Sequence, residues 1–122
     1  MNKFTFLIPV FNDWNSLNIL LDQIDNEILN FEEEFNFIII DDKSSSENSI
    51  SKKKYKKVNL IKIIHLNKNL GSQRALAIGL KYIYVKEKKT NIILMDADGE
   101  DDPKALKKII NYFKKFPEKI IT

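Results

Sequence analysis

Cysteine is absent from all 122 residues, which removes both a disulfide framework and a thiolate metal site and suits a reducing compartment. Histidine occurs once, at His65, so neither a histidine metal cluster nor a histidine relay can be built. No apolar run approaches the roughly 20 residues needed to span a bilayer. The N-terminal stretch Met-Asn-Lys-Phe-Thr-Phe-Leu-Ile-Pro is too short an apolar segment for a signal peptide. Neither the G-x-G-x-x-G dinucleotide fingerprint nor a Walker motif is present, and no internal repeat or linker is visible. These absences point to a soluble, cytoplasmic, single-domain chain.

What is present can fold. At 43% hydrophobic residues the chain can bury a core, which excludes a disordered reading. The net charge is a modest +3. Lysines crowd residues 52–57, 86–89 and 114–119, while acid gathers at 32–34 and 96–102. Such lysine patches could touch nucleic acid or an anionic membrane. In a Lys-, Asn- and Ile-rich chain they read as solvated surface, and no nucleic-acid partner is expected.

Short runs rich in Ile, Val and Phe at 3–8, 35–40, 58–65 and 91–95 are strand candidates, apolar enough to be buried on both faces. Between them, Leu17, Leu20, Leu21, Ile24 and Ile28 follow helical spacing, as do Leu76, Gly79, Leu80 and Ile83. Gly79 suggests close packing. Trp14 anchors the start of the first helix. A third stripe, Leu106, Ile109, Ile110 and Phe113, comes after Asp102 as N-cap and Pro103 at the first helical position. Residues 42–57 read as a loop with a short irregular helix. The order β-α-β-(α)-β-α-β-α predicts an α/β fold, an open, mainly parallel sheet with helices on both faces. Ligands of such sheets sit in the crevice beyond the carboxyl ends of the strands, where residues 9–13, 41–46, 67–74 and 96–102 all fall.

Asp96 and Asp98 are alternate residues at a strand end, and Asp101 and Asp102 come soon after. Oxygen ligands of this kind suit Mg²⁺ or Mn²⁺, and so much negative charge would repel itself without a cation. A charged turn leading into the helix at Pro103 is the alternative. Asp42 could accept a hydrogen bond from a nucleobase or a ribose, or could form an Asx-type turn. Around Gly71 the chain enters a helix whose N-terminal N–H groups favour an anion. Arg74 could hold a phosphate or bridge to a nearby acid. His65, with no partner visible in the sequence, reads as structural.

These segments resemble a known family. Ile8-Pro9-Val10-Phe11-Asn12-Asp13 resembles the I-P-x-(Y/F)-N-E opening of family-2 glycosyltransferases with the GT-A fold, a Rossmann-like nucleotide-diphospho-sugar transferase architecture. Ile40-Asp41-Asp42-Lys43-Ser44-Ser45 is similar to their V-D-D-G-S segment. The run from Asn69 to Ala75, with Gly79-Leu80, resembles N-x-G-x-x-x-A…G-L. Asp96-Ala97-Asp98-Gly99-Glu100-Asp101-Asp102-Pro103 resembles D-x-D-G-(Q/E)-D-x-P. The four motifs occur in order, and the branch they are most similar to transfers sugars to polyprenyl phosphates.

The resemblance implies a nucleotide-diphosphate sugar donor, with Pro9, Phe11 and Asp13 bordering the nucleotide and Asp42 contacting its base. It implies Arg74 at the donor, Asp96 and Ala97 along the ribose and diphosphate, and Asp98 as metal ligand assisted by Asp96 and Glu100. The cofactor is then Mg²⁺ or Mn²⁺, and transfer inverts the anomeric carbon. A polyprenyl phosphate acceptor would bring the protein to the cytoplasmic face of a membrane. Two departures stand out: Asp13 replaces the usual Glu, and Lys43 the usual Gly. The expected domain is 1–122, a donor-binding part truncated before the acceptor half, with the general base beyond residue 122. A nucleotide-sugar-binding module without transferase activity is the second reading. A receiver domain or haloacid-type phosphatase is disfavoured, because both would place their acid pair after the first strand.

Overall fold

The computed structural model describes residues 3–45, 55–86, 89–97 and 102–115. Its order is β1 (Lys3–Val10), α1 (Trp14–Glu27), β2 (Glu34–Asp41), β3 (Val58–His65), α2 (Ser72–Lys86) and β4 (Asn91–Leu94), then a 3₁₀ turn (Pro103–Ala105) running into α3 (Leu106–Lys115). The four strands form one parallel sheet in the order β3-β2-β1-β4. The expected open parallel sheet is therefore present. Most of the 42–57 segment lies outside the described residues.

Alternation along the central strands distributes two cores. Phe4, Phe6 and Ile8 of β1 join Phe35, Phe37 and Ile39 of β2 under α1 and α3, while Leu7, Ile38 and Ile40 face α2. Successive side chains of a strand point to opposite faces, so a continuous apolar run demands helices on both sides. The α1–α3 face is rich in aromatic contacts: Phe4 stacks on Phe35 at 5.5 Å and meets the edge of Phe113 at 5.8 Å. Each such fully buried side chain contributes about 2–3 kcal/mol relative to exposure.

The first strand runs two residues further than its apolar pattern predicts, through Pro9 and Val10. A proline in a central strand normally forfeits a ladder bond. Here the Met95 N–H donates to the Leu7 carbonyl at 3.2 Å, so Leu7 faces β4. Pro9, two residues on, faces the same way, beyond the last β4 residue in the ladder. Its missing N–H therefore costs no strand pairing.

The α1 stripe Leu17, Leu20, Leu21, Ile24 and Ile28 is buried as expected, and Trp14 is buried at its start. Asp13 caps α1, accepting from the Ser16 N–H at 3.1 Å. Asp102 caps the last helical segment by accepting from the Lys104 N–H at 3.0 Å, with a 3₁₀ first turn before α3. On α1, Asp25 accepts from the Lys56 and Lys57 N–H groups at 3.3 and 3.1 Å, which fixes the chain entering β3.

The α2 stripe differs from its expectation. Ala75, Gly79 and Ile83 are buried, Leu76 is half-buried, and Leu80 is 38% exposed. The cause is Gly79, where an added Cβ would come within 2.5 Å of Leu7 Cδ1 and 3.2 Å of Ile40 Cδ1. The backbone rests on the sheet at that point, so the contact line runs 75–79–83 and Leu80 is turned outward.

Two measurements check this packing. Gly79→Ala gains about 1 kcal/mol of helix propensity. Against that it overpacks a fully buried Leu7, which typically costs about 1–3 kcal/mol. Urea unfolding is expected to show net destabilisation. Tyr55 is 5% exposed, packs edge-on to Phe37, and has no hydroxyl partner among the described residues. Burial, with Asp22 and Asp25 nearby, pushes its phenol up to about 12 from 10.0. The folded state thus holds Tyr55 neutral, and stability intact below pH 10 is lost as pH rises from 10 through 12. Tyr55→Phe is expected to match or exceed the parent's stability at pH 7 and to lack that alkaline loss in denaturation at about pH 10–12.

Candidate functional site

Strand order reverses at β1, with β2 on one side and β4 on the other, and a crevice opens at the carboxyl ends where the connections diverge. An open cleft of about 170 Å³ lies there, lined by Pro9, Val10, Phe11, Asp13, Asp42, Ser72, Asp96 and Ala97. Six of the seven residues expected at a donor line it: Pro9, Phe11, Asp13, Asp42, Asp96 and Ala97. Phe11 is 52% exposed, an aromatic face left open beside the cleft.

Arg74 stands apart from the lining. Ser72 begins α2 and lines the cleft, while Arg74, two residues on, is exposed and absent from the lining. Val10 and Ser72 are additions. Both lie inside the motifs at 8–13 and 69–75, but an aliphatic residue and a serine carry no chemistry conspicuous enough to single them out.

Behind the cleft, the loops after β1 and β2 are stitched together. Asn12 and Lys43 both take left-handed backbone, at φ 65° and 61°. Asparagine tolerates this; lysine is strained by it, which accounts physically for a glycine preference at position 43. The Asn12 N–H donates to Ser44 Oγ at 2.8 Å, and Asn12 Oδ1 accepts from the Ser45 N–H at 2.7 Å. Asp13 combines its place at the cleft with the capping of α1.

The paired aspartates at the end of β2 point to different partners. Asp41 Oδ1 accepts from the Ser44 N–H at 2.9 Å, and its Oδ2 lies 2.8 Å from His65 Nδ1. His65 therefore has a partner 24 residues away that its own neighbourhood does not reveal. Burial raises the Asp41 pKa, but hydrogen bonds from Ser44 and His65 outweigh burial and hold the carboxyl below its usual 3.8. Asp42 instead accepts from Leu70 and Gly71 N–H groups at 2.8 and 2.9 Å.

Among the described residues no three histidine or carboxylate side chains form a metal cage. Asp96, exposed just beyond β4, lines the cleft, and carboxylate oxygen is the donor type that Mg²⁺ and Mn²⁺ prefer. The expected ligands Asp98 and Glu100 lie outside the described residues.

The family model for glycosyl transferase family 2 matches residues 5–122. The chain belongs to this family. A curated relative is the undecaprenyl-phosphate 4-deoxy-4-formamido-L-arabinose transferase of Proteus mirabilis, 27% identical over 112 residues. That match takes in 90% of this chain and 33% of the relative, so the chain spans about a third of that protein's length. Among solved structures, S. aureus TarS residues 1–349 superpose with a TM-score of 0.70 at 23% identity, covering 93% of this chain and 32% of that one. A second TarS structure gives the same score and identity over 20% of its length. At this identity the likeness speaks for the fold, and the expected GT-A architecture is borne out. Among the described residues no helix is long and apolar enough to cross a membrane.

The Asp41 network makes a pH prediction. Its depressed carboxyl adds stability that is present above pH 3.8 and is lost as pH falls through the folded value. Asp41→Asn is expected to destabilise the protein at pH 7 by about 1–2 kcal/mol, the lower part of the range for charged hydrogen bonds because the His65 side chain is 60% exposed. In urea titrations from neutral pH into acid the gap between parent and variant should narrow below pH 3.8.

Proposed function

We propose that the cleft at the β1/β4 switch point is the donor site of a glycosyltransferase that takes a nucleotide-diphosphate sugar. The observation that carries this reading is the convergence of Pro9, Phe11, Asp13, Asp42, Asp96 and Ala97 on one cleft in a chain of this family. Phe11 offers an apolar face to the nucleoside, and the N-terminus of α2 at Ser72 offers N–H groups and positive dipole to an anion. Asp96, with Asp98 and Glu100 next to it in sequence, would hold Mg²⁺ or Mn²⁺. A divalent ion there supplies Lewis-acid neutralisation of the charge growing on the departing diphosphate.

The proposed reaction is displacement at the anomeric carbon. An acceptor oxygen forms the new bond as the sugar–diphosphate bond breaks on the opposite side, so configuration inverts and the nucleoside diphosphate leaves. The name of the Proteus mirabilis relative favours a polyprenyl phosphate as acceptor, which would bring the protein to the cytoplasmic face of a membrane. Because the chain spans about a third of that relative, a second reading is a donor-binding module that needs further residues for transfer.

Calorimetry with UDP-, GDP- and CDP-sugars, with and without Mn²⁺, tests the donor site. Metal-dependent binding is expected, weakened at least about tenfold by Asp98→Ala as first-sphere oxygen is removed. No affinity for any of them by a demonstrably folded chain would sink the reading. Transfer of labelled sugar to a polyprenyl phosphate separates the two readings: the 122-residue chain is expected to fail and a longer chain to succeed.

A further inference from the structure

Charge is unevenly shared along the chain. Residues 48–86 contain no aspartate or glutamate and ten lysines and arginines, whereas residues 1–47 contain ten acids and two lysines. The acid-free stretch supplies β3 and α2, and the fold makes them neighbours: β3 is the outer strand of the sheet, and Lys62 Nζ lies 4.9 Å from the centre of the Tyr82 ring of α2. The acidic stretch supplies α1, which packs on the opposite face. A basic side, β3 with α2, is thus set apart from the acid of α1. At its border, Glu34 is already paired with Lys3 at 3.6 Å.

Solvated lysines alone need no partner, but this side also shows apolar carbon. Tyr84 is 81% and Val85 54% exposed on α2, with Leu80 exposed on the same helix and Leu60 on β3. Leu60 and Lys62, two residues apart, share the α2 face of the strand. Once the inner line Ala75, Gly79 and Ile83 rests on the sheet, Arg74, Lys81, Tyr84 and Val85 are left in solvent on one outer arc. Cations interleaved with tyrosine and aliphatic side chains suit a membrane interface: the charged heads reach lipid phosphates while the apolar groups enter the headgroup boundary.

We propose that the outer faces of α2 and β3 form a docking surface for an anionic phospholipid bilayer, with Lys62, Arg74, Lys81 and Lys86 at the lipid phosphates and Leu80, Tyr84 and Val85 at the headgroup boundary. Charge complementarity selects this occupant. A symmetric second copy would set cation against cation, and a nucleic-acid backbone would satisfy the cations while leaving the aliphatic carbon in water. Each lysine near an anionic surface strengthens the attraction about fivefold. Ser72, at the start of the same helix, lines the cleft, so docking along α2 holds the cleft beside the bilayer. That consequence rests on the reading of the cleft as the donor site of a transferase with a lipid-phosphate acceptor; the docking itself does not.

Co-sedimentation of the 122-residue chain with vesicles, in the absence of nucleotide and metal, tests the surface. Vesicles containing phosphatidylglycerol should bind it, less well as salt is raised, and vesicles of phosphatidylcholine alone should not. Lys81→Gln with Lys86→Gln should weaken binding at least about tenfold. Tyr84→Ser with Val85→Ser, which leaves the charge unchanged, should weaken it about tenfold as well. All four side chains are exposed, and circular dichroism checks that each variant is folded. Lys108→Gln with Lys115→Gln makes the same change in net charge on α3, on the other side of the sheet, and should weaken binding far less. Failure of the folded parent to bind anionic vesicles overturns the proposal, and binding to a single-stranded RNA in their place would assign the surface to nucleic acid. An equal loss from the α3 pair overturns it too, since net charge rather than this face would then be responsible. Loss of the donor-site reading in calorimetry would leave the vesicle result standing, and the reverse holds equally.

Discussion

Everything in this molecule hangs on the pairing of β1 with β2, eight residues against eight in parallel register from Lys3–Glu34 to Val10–Asp41. Parallel strands cannot be joined by a tight turn, so each must lead into a crossover. Strands that are apolar on both faces must also be covered on both, and α1 with α3 on one side and α2 on the other do this. The register then brings the carboxyl ends of β1 and β2 level. Val10 stands beside Asp41, and the polar residues beyond each strand enter the same crevice.

At that crevice the pair Asp41–Asp42 divides two tasks between adjacent residues. Alternation along the strand sends neighbouring side chains in opposite directions. Asp41 reaches Ser44 and His65, tying the ends of β2 and β3, while Asp42 reaches the turn before α2. Each bonds its carboxylate to N–H donors, which is how nearly buried charge is tolerated. The segments at the cleft are thus held from behind: the turn after β1 through Asn12 by Ser44 and Ser45, and the turn before Ser72 through Gly71 by Asp42.

Much of the architecture was legible in the sequence because it derives from periodicity. Strand runs, helical stripes and the Asp102–Pro103 start are local patterns, and local patterns survive without knowledge of partners. Two residues depart from them. Leu80 fits the helical spacing but is turned outward, because Gly79 lets the backbone rather than a side chain meet Leu7. Pro9 looks like the end of a strand but lies inside one, because the absence of an opposing β4 residue there removes the penalty.

The amino-acid sequence by itself determined the element order, the family and most of the cleft wall, since motifs at strand ends must converge once the strands are parallel. Six of the residues it singled out line the cleft for that reason. Only the tertiary structure decided which way individual side chains face. Arg74 is absent from the cleft lining, and His65 finds Asp41 across 24 residues. Asp42 finds Leu70 across 28. Such contacts depend on register and distance between segments remote in the chain, and no spacing within one segment encodes them. The aspartates that first marked the site were visible in the sequence; what each of the two at the end of β2 is bonded to was not.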